Sequence, residues 1–215
     1  MVLDKPTTRI LVVVVSLFVA IKANALYSVM DTGDLLPEGQ FRANLETQLI
    51  TDHDDGVNLM GRFDSWFSDD SNIRGVVGFG TTDLYLAGFY KWVPYPDAEG
   101  QPAIGIAAGL SYARYEIEEE TLGELSLRFH PIISKKFVVD MGELTPYGSL
   151  PFGIASRDGE TDFPVQAVGG VEWKTSQWQK LTFSAEVGFN VNEAFSYFSL
   201  GAQLYFDWEN GIVLE

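Results

Sequence analysis

Apolar and polar residues alternate through most of this chain, in segments of about ten residues separated by turn-forming clusters. The clearest segment runs from 199 to 208, where every second residue is apolar: Leu200, Ala202, Leu204, Phe206 and Trp208. A period of two is typical of a β-strand with one apolar and one polar face. The whole pattern predicts ten strands, at roughly 40–50, 57–67, 72–80, 83–93, 103–115, 123–135, 145–156, 164–174, 180–190 and 197–208.

This alternation has two interpretations. In a soluble protein the apolar face is buried and the polar face meets water. In a membrane barrel the polar face lines the lumen and the apolar face meets lipid. Periodicity alone does not choose between them, so the choice depends on the two ends of the chain.

The N-terminal end predicts export from the cytoplasm. Lys5 and Arg9 precede an apolar run over 10–21, and Ala23-Asn24-Ala25 follows it. This order is typical of a secretory signal peptide over 1–25, so we expect the mature chain to begin at Leu26. The apolar run is too short for a membrane-spanning helix, which needs about 20 residues. Membrane insertion would therefore have to use strands.

The C-terminal strand carries a second signal. The positions Ser199, Gly201, Leu204 and Phe206 resemble the closing-strand signal of small bacterial outer-membrane β-barrel proteins. That resemblance implies recognition by the barrel-assembly machinery and a place in the bacterial outer membrane, in contact with lipid. We therefore predict an all-β, antiparallel, up-and-down barrel of about ten strands over 26–208. Residues 209–215 form a C-terminal tail beyond the position where this family usually ends.

Charged residues share the predicted inner face of the barrel. They are Arg42, Glu46, Arg62, Asp64, Arg74, Glu124, Arg128, Glu172 and Glu186. A ten-strand barrel is only slightly wider than the eight-strand kind, whose interior is filled by side chains. Because unpaired buried charge is costly, we expect acids and arginines to pair across the lumen and close it. The alternative is a narrow porin whose charged lining passes small ions or solutes.

The predicted outer face carries small residues on four neighbouring strands: Gly61, Gly75, Gly88 and Ala108. A lipid-facing glycine loses apolar contact and weakens its strand. The glycines could permit strand bending where the barrel curves. They could instead allow another barrel to come close, which would give a ring-shaped homo-oligomer holding lipid.

Composition excludes several classes of function. The chain has a net charge of −16, and removal of the signal peptide, with three basic residues and one acidic residue, makes it −18. Such an acidic chain would repel nucleic acid. The chain has no cysteine, so disulfides and thiolate metal sites are excluded. It also lacks phosphate-loop, dinucleotide and zinc motifs, so we expect no cofactor and no metal.

The two histidines are the candidates for catalysis. His53 lies in an acidic turn with Asp52, Asp54 and Asp55, which favours a solvated loop, with weak divalent-cation binding as the alternative. His130 precedes a proline and is expected to pack in the lumen.

An outer-membrane lipid hydrolase or acyltransferase would need His130 to pair with a serine such as Ser126 or Ser149. The chain has no nucleophile-elbow motif around a serine. We therefore predict no catalytic residues and a structural or assembly role.

Overall fold

The computed structural model describes residues 27–52, 56–117, 120–178 and 181–207. These residues form one antiparallel sheet of thirteen strands: β1 (Gln40–Ile50), β2 (Gly56–Ser68), β3 (Ser71–Gly80), β4 (Leu84–Tyr95), β5 (Ala103–Ile117), β6 (Glu120–Ser134), β7 (Phe137–Val139), β8 (Gly142–Ser149), β9 (Phe152–Arg157), β10 (Glu160–Asp162), β11 (Val165–Thr175), β12 (Leu181–Asn192) and β13 (Tyr197–Asp207). Within these ranges no helix is long and apolar enough to cross a membrane.

The sheet closes on itself, because β1 pairs with β2 on one side and with β13 on the other. β8 and β9 act as a single barrel strand, since both lie between β6 and β11. β7 and β10 are short arms that pair only with β8 and β9, respectively. The wall therefore contains ten strands, and the predicted antiparallel ten-strand barrel is confirmed.

The break between β8 and β9 has a local cause in two prolines. Pro151 follows the end of β8, and Pro131 lies on the facing strand β6 between the stretches that pair with β9 and with β8. Proline has no backbone N–H and cannot donate to a sheet ladder. The Ser149 hydroxyl donates to the Pro131 carbonyl at 2.7 Å across this break.

The wall is polar inside and apolar outside. On β1 the inward residues Glu46 and Gln48 are fully buried, whereas the outward Leu45 is 60% exposed. Apolar side chains are exposed in the same way on other strands, including Leu59, Phe63, Phe79, Leu110, Leu125 and Leu200. An outer surface of this kind fits lipid and not water.

The barrel has two different rims. β1 begins and β13 ends at one rim, which we call the terminal rim and which also holds the connections β2–β3, β4–β5, β6–β8 and β11–β12. The opposite rim, which we call the loop rim, holds the connections β1–β2, β3–β4, β5–β6, β9–β11 and β12–β13.

The chain that precedes β1 lies inside the barrel. Residues 27–36, which we call the lumen segment, run from the loop rim at Tyr27 to the terminal rim at Leu36, and both of these side chains are buried. A turn at Gly39, with a φ of 77°, then leads into β1. The pattern of inward charges predicted a lumen filled by side chains of the wall, and the stretch of backbone that lies between them is the main departure from that prediction.

Candidate functional site in the barrel lumen

The lumen segment is fixed at the loop rim by aromatic residues. The Tyr27 hydroxyl lies 2.7 Å from Thr82 Oγ1 and 3.1 Å from the Tyr115 hydroxyl. Its ring lies 3.9 Å from the ring of Tyr85, between centroids, within a small apolar cluster of the inner wall. The Arg128 guanidinium lies 5.5 Å from the centre of the Tyr27 ring and donates to the Tyr85 hydroxyl at 2.7 Å, a cation–π arrangement.

One wall carboxylate holds the middle of the segment. Glu186 accepts the backbone N–H groups of Val29 at 2.8 Å and Met30 at 2.6 Å. It also accepts the hydroxyls of Tyr147 at 2.6 Å and Tyr197 at 2.5 Å. Met30 has a φ of 40°, the left-handed conformation found where successive N–H groups turn toward one anion. Uncharged donors therefore satisfy a carboxylate that sequence analysis expected an arginine to balance.

Three wall cations converge on a carboxylate of the segment. Asp31 Oδ1 lies 2.9 Å from Lys91 Nζ, 3.1 Å from Arg42 Nη2 and 3.3 Å from Arg74 Nη2. All four side chains are buried. Charge-assisted hydrogen bonds of this kind are among the strongest in proteins. Asp31 is therefore the main electrostatic link between the segment and the wall.

The same cations also form pairs within the wall. Arg42 Nε lies 2.8 Å from Asp64 Oδ2, and Arg74 Nε lies 2.5 Å from Asp64 Oδ1. Arg42 Nη1 is 3.8 Å from Glu172 Oε1, which Gln203 also contacts at 2.8 Å. These contacts form one continuous charged network around Asp31.

Wall side chains also satisfy the backbone of the segment. Arg62 donates to the Ser28 carbonyl at 3.0 Å, and Arg74 donates to the Val29 carbonyl at 2.9 Å. Lys91 donates to the carbonyls of Thr32 at 3.2 Å and Asp34 at 2.7 Å. Buried backbone groups need such partners, and their supply by the wall explains how an irregular chain can lie inside the barrel.

Close packing fixes the position of the segment along the barrel axis. The Gly33 N–H donates to Ser134 Oγ at 2.9 Å. A Cβ atom at Gly33 would lie 2.4 Å from the Cβ of Ala103, so no other residue fits without displacement. One cavity between the described residues of the segment and the wall, beside His130, has a volume of about 10 Å³, which is room for a single water molecule.

The terminal rim opens into a wider mouth. A cavity of about 350 Å³ there is lined by residues that include Asp34, Arg42, Lys136 and Tyr205. Lys136 Nζ lies 2.9 Å from Asp34 Oδ2. Burial alone would lower the pKa of Lys136, but the nearby carboxylates of Asp34 and Glu143 outweigh it and raise this pKa. The C-terminal residues of the lumen segment, from Asp34 to Leu36, form part of the lining of this mouth.

The structure places all nine predicted lumen charges inside the wall, with differing partners. Arg42, Arg62, Arg74, Glu46, Asp64 and Glu172 share ion pairs or hydrogen bonds. Glu124 accepts a hydrogen bond from Ser126 at 3.1 Å. Lys91 and Asp31 were not among the predicted lumen charges. Lys91 could have been found, because its place in β4, three residues after the outward Gly88, is an inward one. Asp31 could not, because it precedes the first strand.

The candidate catalytic residues do not come together. Ser126 and His130 are four residues apart on β6, so their Cα atoms are separated by about 13 Å. The Ser149 hydroxyl is used by the Pro131 carbonyl, and His130 Nε2 has no hydrogen-bond partner among the described residues. His53, Asp54 and Asp55 lie outside the described residues. In the part of the chain that the structure describes, no group of histidines and acids could hold a metal ion.

Two glycines face each other on the outer wall. Gly75 of β3 is directly opposite Gly88 of β4. A Cβ atom would meet nothing within 4 Å at Gly75 and only a carbonyl oxygen at 4.0 Å at Gly88. Gly61 lies on the neighbouring strand opposite Val77, and Ala108 of β5 lies opposite Tyr90 of β4. The wall also carries a second outward pair, Gly148 and Gly169, on β8 and β11.

The closing strand has separate inner and outer roles. Ser199 is fully buried inside. A Cβ atom at Gly201 would lie 2.7 Å from Ser184 Oγ and 3.0 Å from Asn44 Oδ1, so a larger residue there would require these side chains to move. Leu204 and Phe206 pair with Ala43 and Phe41 of β1, and the rings of Phe206 and Phe41 stack at 5.6 Å. The residues of the predicted assembly signal therefore lie where the barrel closes.

Comparisons with solved structures agree with this architecture. The translocator domain of the autotransporter NalP from Neisseria meningitidis matches 81% of this chain and 90% of its own, with a TM-score of 0.50 and 10% identity. The COG4313 outer-membrane channel from Pseudomonas putida F1 matches 85% and 100%, with a TM-score of 0.45 and 10% identity. The β domain of the Bordetella autotransporter BrkA matches 79% and 99%, with a TM-score of 0.46 and 11% identity.

The chain folds as a bacterial outer-membrane β-barrel. The closed ten-strand wall and the likeness to the NalP translocator domain confirm the fold predicted from the strand pattern. At this level of identity the likeness extends to the fold alone. No family model matches the sequence, and no curated relative does.

Proposed function

We propose that this protein is a non-enzymatic outer-membrane barrel with a structural or assembly role, whose lumen is closed in its resting state. The observation that carries the proposal is the lumen segment, which runs from rim to rim with its backbone and its carboxylate bonded to the wall. Among the described residues, the cavity between this segment and the wall beside His130 holds only about 10 Å³.

The narrow porin is the first alternative. It would require the lumen segment to leave the barrel and to give up the contacts of Asp31, Tyr27 and two backbone N–H groups at once. Water would replace the lost partners, so each of these hydrogen bonds contributes about 0.5–1.5 kcal/mol to the closed state. The closed state is therefore favoured, and an open state would need something to replace those contacts.

An enzymatic role has less support. The lipid hydrolase or acyltransferase alternative needs a serine activated by a histidine within hydrogen-bond reach. Ser126 bonds to Glu124 and Ser149 bonds to a carbonyl, so neither hydroxyl is directed at His130.

We further propose that the terminal rim faces the periplasm. An even number of wall strands places both ends of the barrel domain at this rim, which in barrels of this kind is the periplasmic one. This orientation fits export by the signal peptide over 1–25 and insertion by the barrel-assembly machinery through Ser199, Gly201, Leu204 and Phe206. The loop rim, where Tyr27 lies, would then face the outside of the cell.

A homo-oligomer is a second proposal, and the outer wall favours it. Gly75 and Gly88 form a shallow depression where the surface of another barrel could come close. The pair Gly148 and Gly169 forms a second one on a different part of the wall. A ring in which each subunit uses two different surfaces needs two such places. Lipid acyl chains would fill the gaps between curved walls.

Current across planar lipid bilayers tests the closed state. We expect the purified full-length protein to give no steady conductance. Gly33→Val should give measurable current, because its side chain would collide with Ala103 and displace the lumen segment. Gly169→Val adds the same side chain on the outer wall and should remain silent. Steady ion-selective current from the wild type would contradict the closed barrel and support the narrow porin.

A further inference from the structure

The charges around Asp31 do not balance within the wall alone. The wall supplies three cations here, from Arg42, Arg74 and Lys91, and two carboxylates, from Asp64 and Glu172. The third carboxylate comes from Asp31 of the lumen segment. An uncompensated charge in a buried site is costly, so a wall that lacked Asp31 would attract an anion.

Lys91 shows most directly what this site is built to hold. Among the described residues, all its hydrogen bonds go to the lumen segment: to the Asp31 carboxylate and to the carbonyls of Thr32 and Asp34. Arg42 and Arg74, in contrast, each have a second partner in Asp64 of the wall. Lys91 is 3% exposed, so water does not solvate its ammonium when the segment is in place.

The geometry around the carboxylate is that of a binding site. Three donors from three different wall strands, β1, β3 and β4, approach the same oxygen of Asp31 within 3.3 Å. Asp64 holds Arg42 and Arg74 from the other side, at 2.8 and 2.5 Å, and so fixes their guanidinium groups. Donors held in place before the ligand arrives lose little freedom on binding, which favours affinity.

We propose that Arg42, Arg74 and Lys91 form a carboxylate-binding site in the lumen, for which Asp31 is the built-in ligand. When the lumen segment withdraws, a carboxylate anion takes the place of the Asp31 side chain. The inference rests on the proposed closed barrel, because it takes the lumen segment as the resting occupant. The ligand is either a small free carboxylate or an acidic side chain of an extended peptide, since both present the same group.

The test replaces the built-in carboxylate and supplies a free one. Asp31→Ala in the full chain removes the side chain and keeps the rest of the segment. The protein is refolded from urea into detergent micelles in sodium chloride or in sodium acetate of equal ionic strength, and thermal unfolding is followed by circular dichroism. We expect acetate to raise the Tm of Asp31→Ala by about 3 °C or more and to leave the Tm of the wild type unchanged.

A second substitution identifies the cation responsible. Adding Lys91→Met to Asp31→Ala should abolish the effect of acetate. Adding Lys135→Met should preserve it, because the hydrogen bonds of Lys135 to the described residues go to Asp97, Ala98 and Gln101 at the terminal rim. If Asp31→Ala does not fold in chloride, the yield of heat-modifiable folded protein in acetate against chloride gives the same comparison.

A peptide distinguishes the two sources of the carboxylate. A synthetic peptide of residues 27–36 and its Asp31→Asn form are added separately to refolding Asp31→Ala protein. Stabilisation by acetate assigns the site to small carboxylates. Stabilisation by the peptide that contains Asp31, but not by acetate or by its Asp31→Asn form, assigns the site to acidic peptides. If neither acetate nor the Asp31 peptide stabilises the protein, or if the effect survives Lys91→Met, the site is not a carboxylate receptor. That result would not affect the proposed closed barrel, which is tested separately by the absence of steady conductance across planar bilayers.

Discussion

Arg62 Nη2 lies 2.5 Å from Glu46 Oε2, and this bond joins two neighbouring wall strands directly beneath the lumen segment. The same nitrogen also donates to the carbonyl of Ser28 at 3.0 Å, while the other oxygen of Glu46 accepts the Ser28 hydroxyl. Both charged side chains are almost completely buried. The pair therefore belongs to the wall and to the segment at once.

We expect this pair to behave as a unit in a double-mutant cycle. Arg62→Met alone leaves the Glu46 carboxylate buried without its cation, which costs more than removing both charges. The coupling free energy between Arg62→Met and Glu46→Gln should be about 1–3 kcal/mol, measured by unfolding in detergent. The exposed pair Arg114 and Asp83, with the same N–O distance of 2.5 Å, is the control and should couple by less than about 1 kcal/mol. Simple additivity at Arg62 and Glu46 would show that the network is not cooperative.

The closing strand should be required for insertion. Phe206→Asp places a charge on the outer wall, where it costs up to about 2–4 kcal/mol depending on depth, and it removes the stacking on Phe41. We expect a large loss of folded, heat-modifiable protein in outer-membrane fractions. Phe206→Leu and Val138→Asp are the controls, because Val138 lies on the exposed arm β7 and not on the wall. A wild-type level of folded Phe206→Asp protein would argue against the assembly signal.

The mature N-terminus should be Leu26. Ala23-Asn24-Ala25 has the small residues that signal peptidase needs, and cleavage there leaves Tyr27 one residue from the new end. Mass spectrometry of the intact protein from outer-membrane fractions measures this directly. If the stable species retains Met1, the predicted cleavage is wrong, and if the protein is found in the soluble periplasm, the predicted placement in the outer membrane is wrong.

The outer glycines should control the size of the particle. Gly75→Phe and Gly88→Trp place bulky apolar side chains where a neighbouring barrel would approach, and lipid tolerates such side chains. We expect folded monomers from these variants and a larger particle with retained lipid from the wild type, measured by particle mass in mild detergent. Leu125→Trp, on the outer face of β6, is the control and should keep the wild-type mass. A wild type that is monomeric and free of lipid would support the alternative, in which these glycines permit the strands to bend.

Much of the wall could be predicted from the sequence. The alternation of residues such as Arg42, Ala43 and Asn44 assigned each side chain to a face, because successive side chains of a strand point to opposite sides. Turn-forming clusters then divided the chain into ten strands. The same period of two predicted the charged inner face and the outward glycines. This prediction needed only the assumption that strands consecutive in the chain are neighbours in the sheet.

The tertiary structure alone decided what fills the barrel. Residues 27–36 have no strand period, and their partners on the wall lie up to about 160 positions away, as in the bonds from Val29 and Met30 to Glu186. Sequence patterns report local geometry. The pairing of β1 with β13 instead creates an enclosed space, and the charges that line this space must be balanced by the segment that fills it. Arg42, Arg74 and Lys91 are three inward residues in the sequence, and they become one site only because β1, β3 and β4 direct them at the same carboxylate.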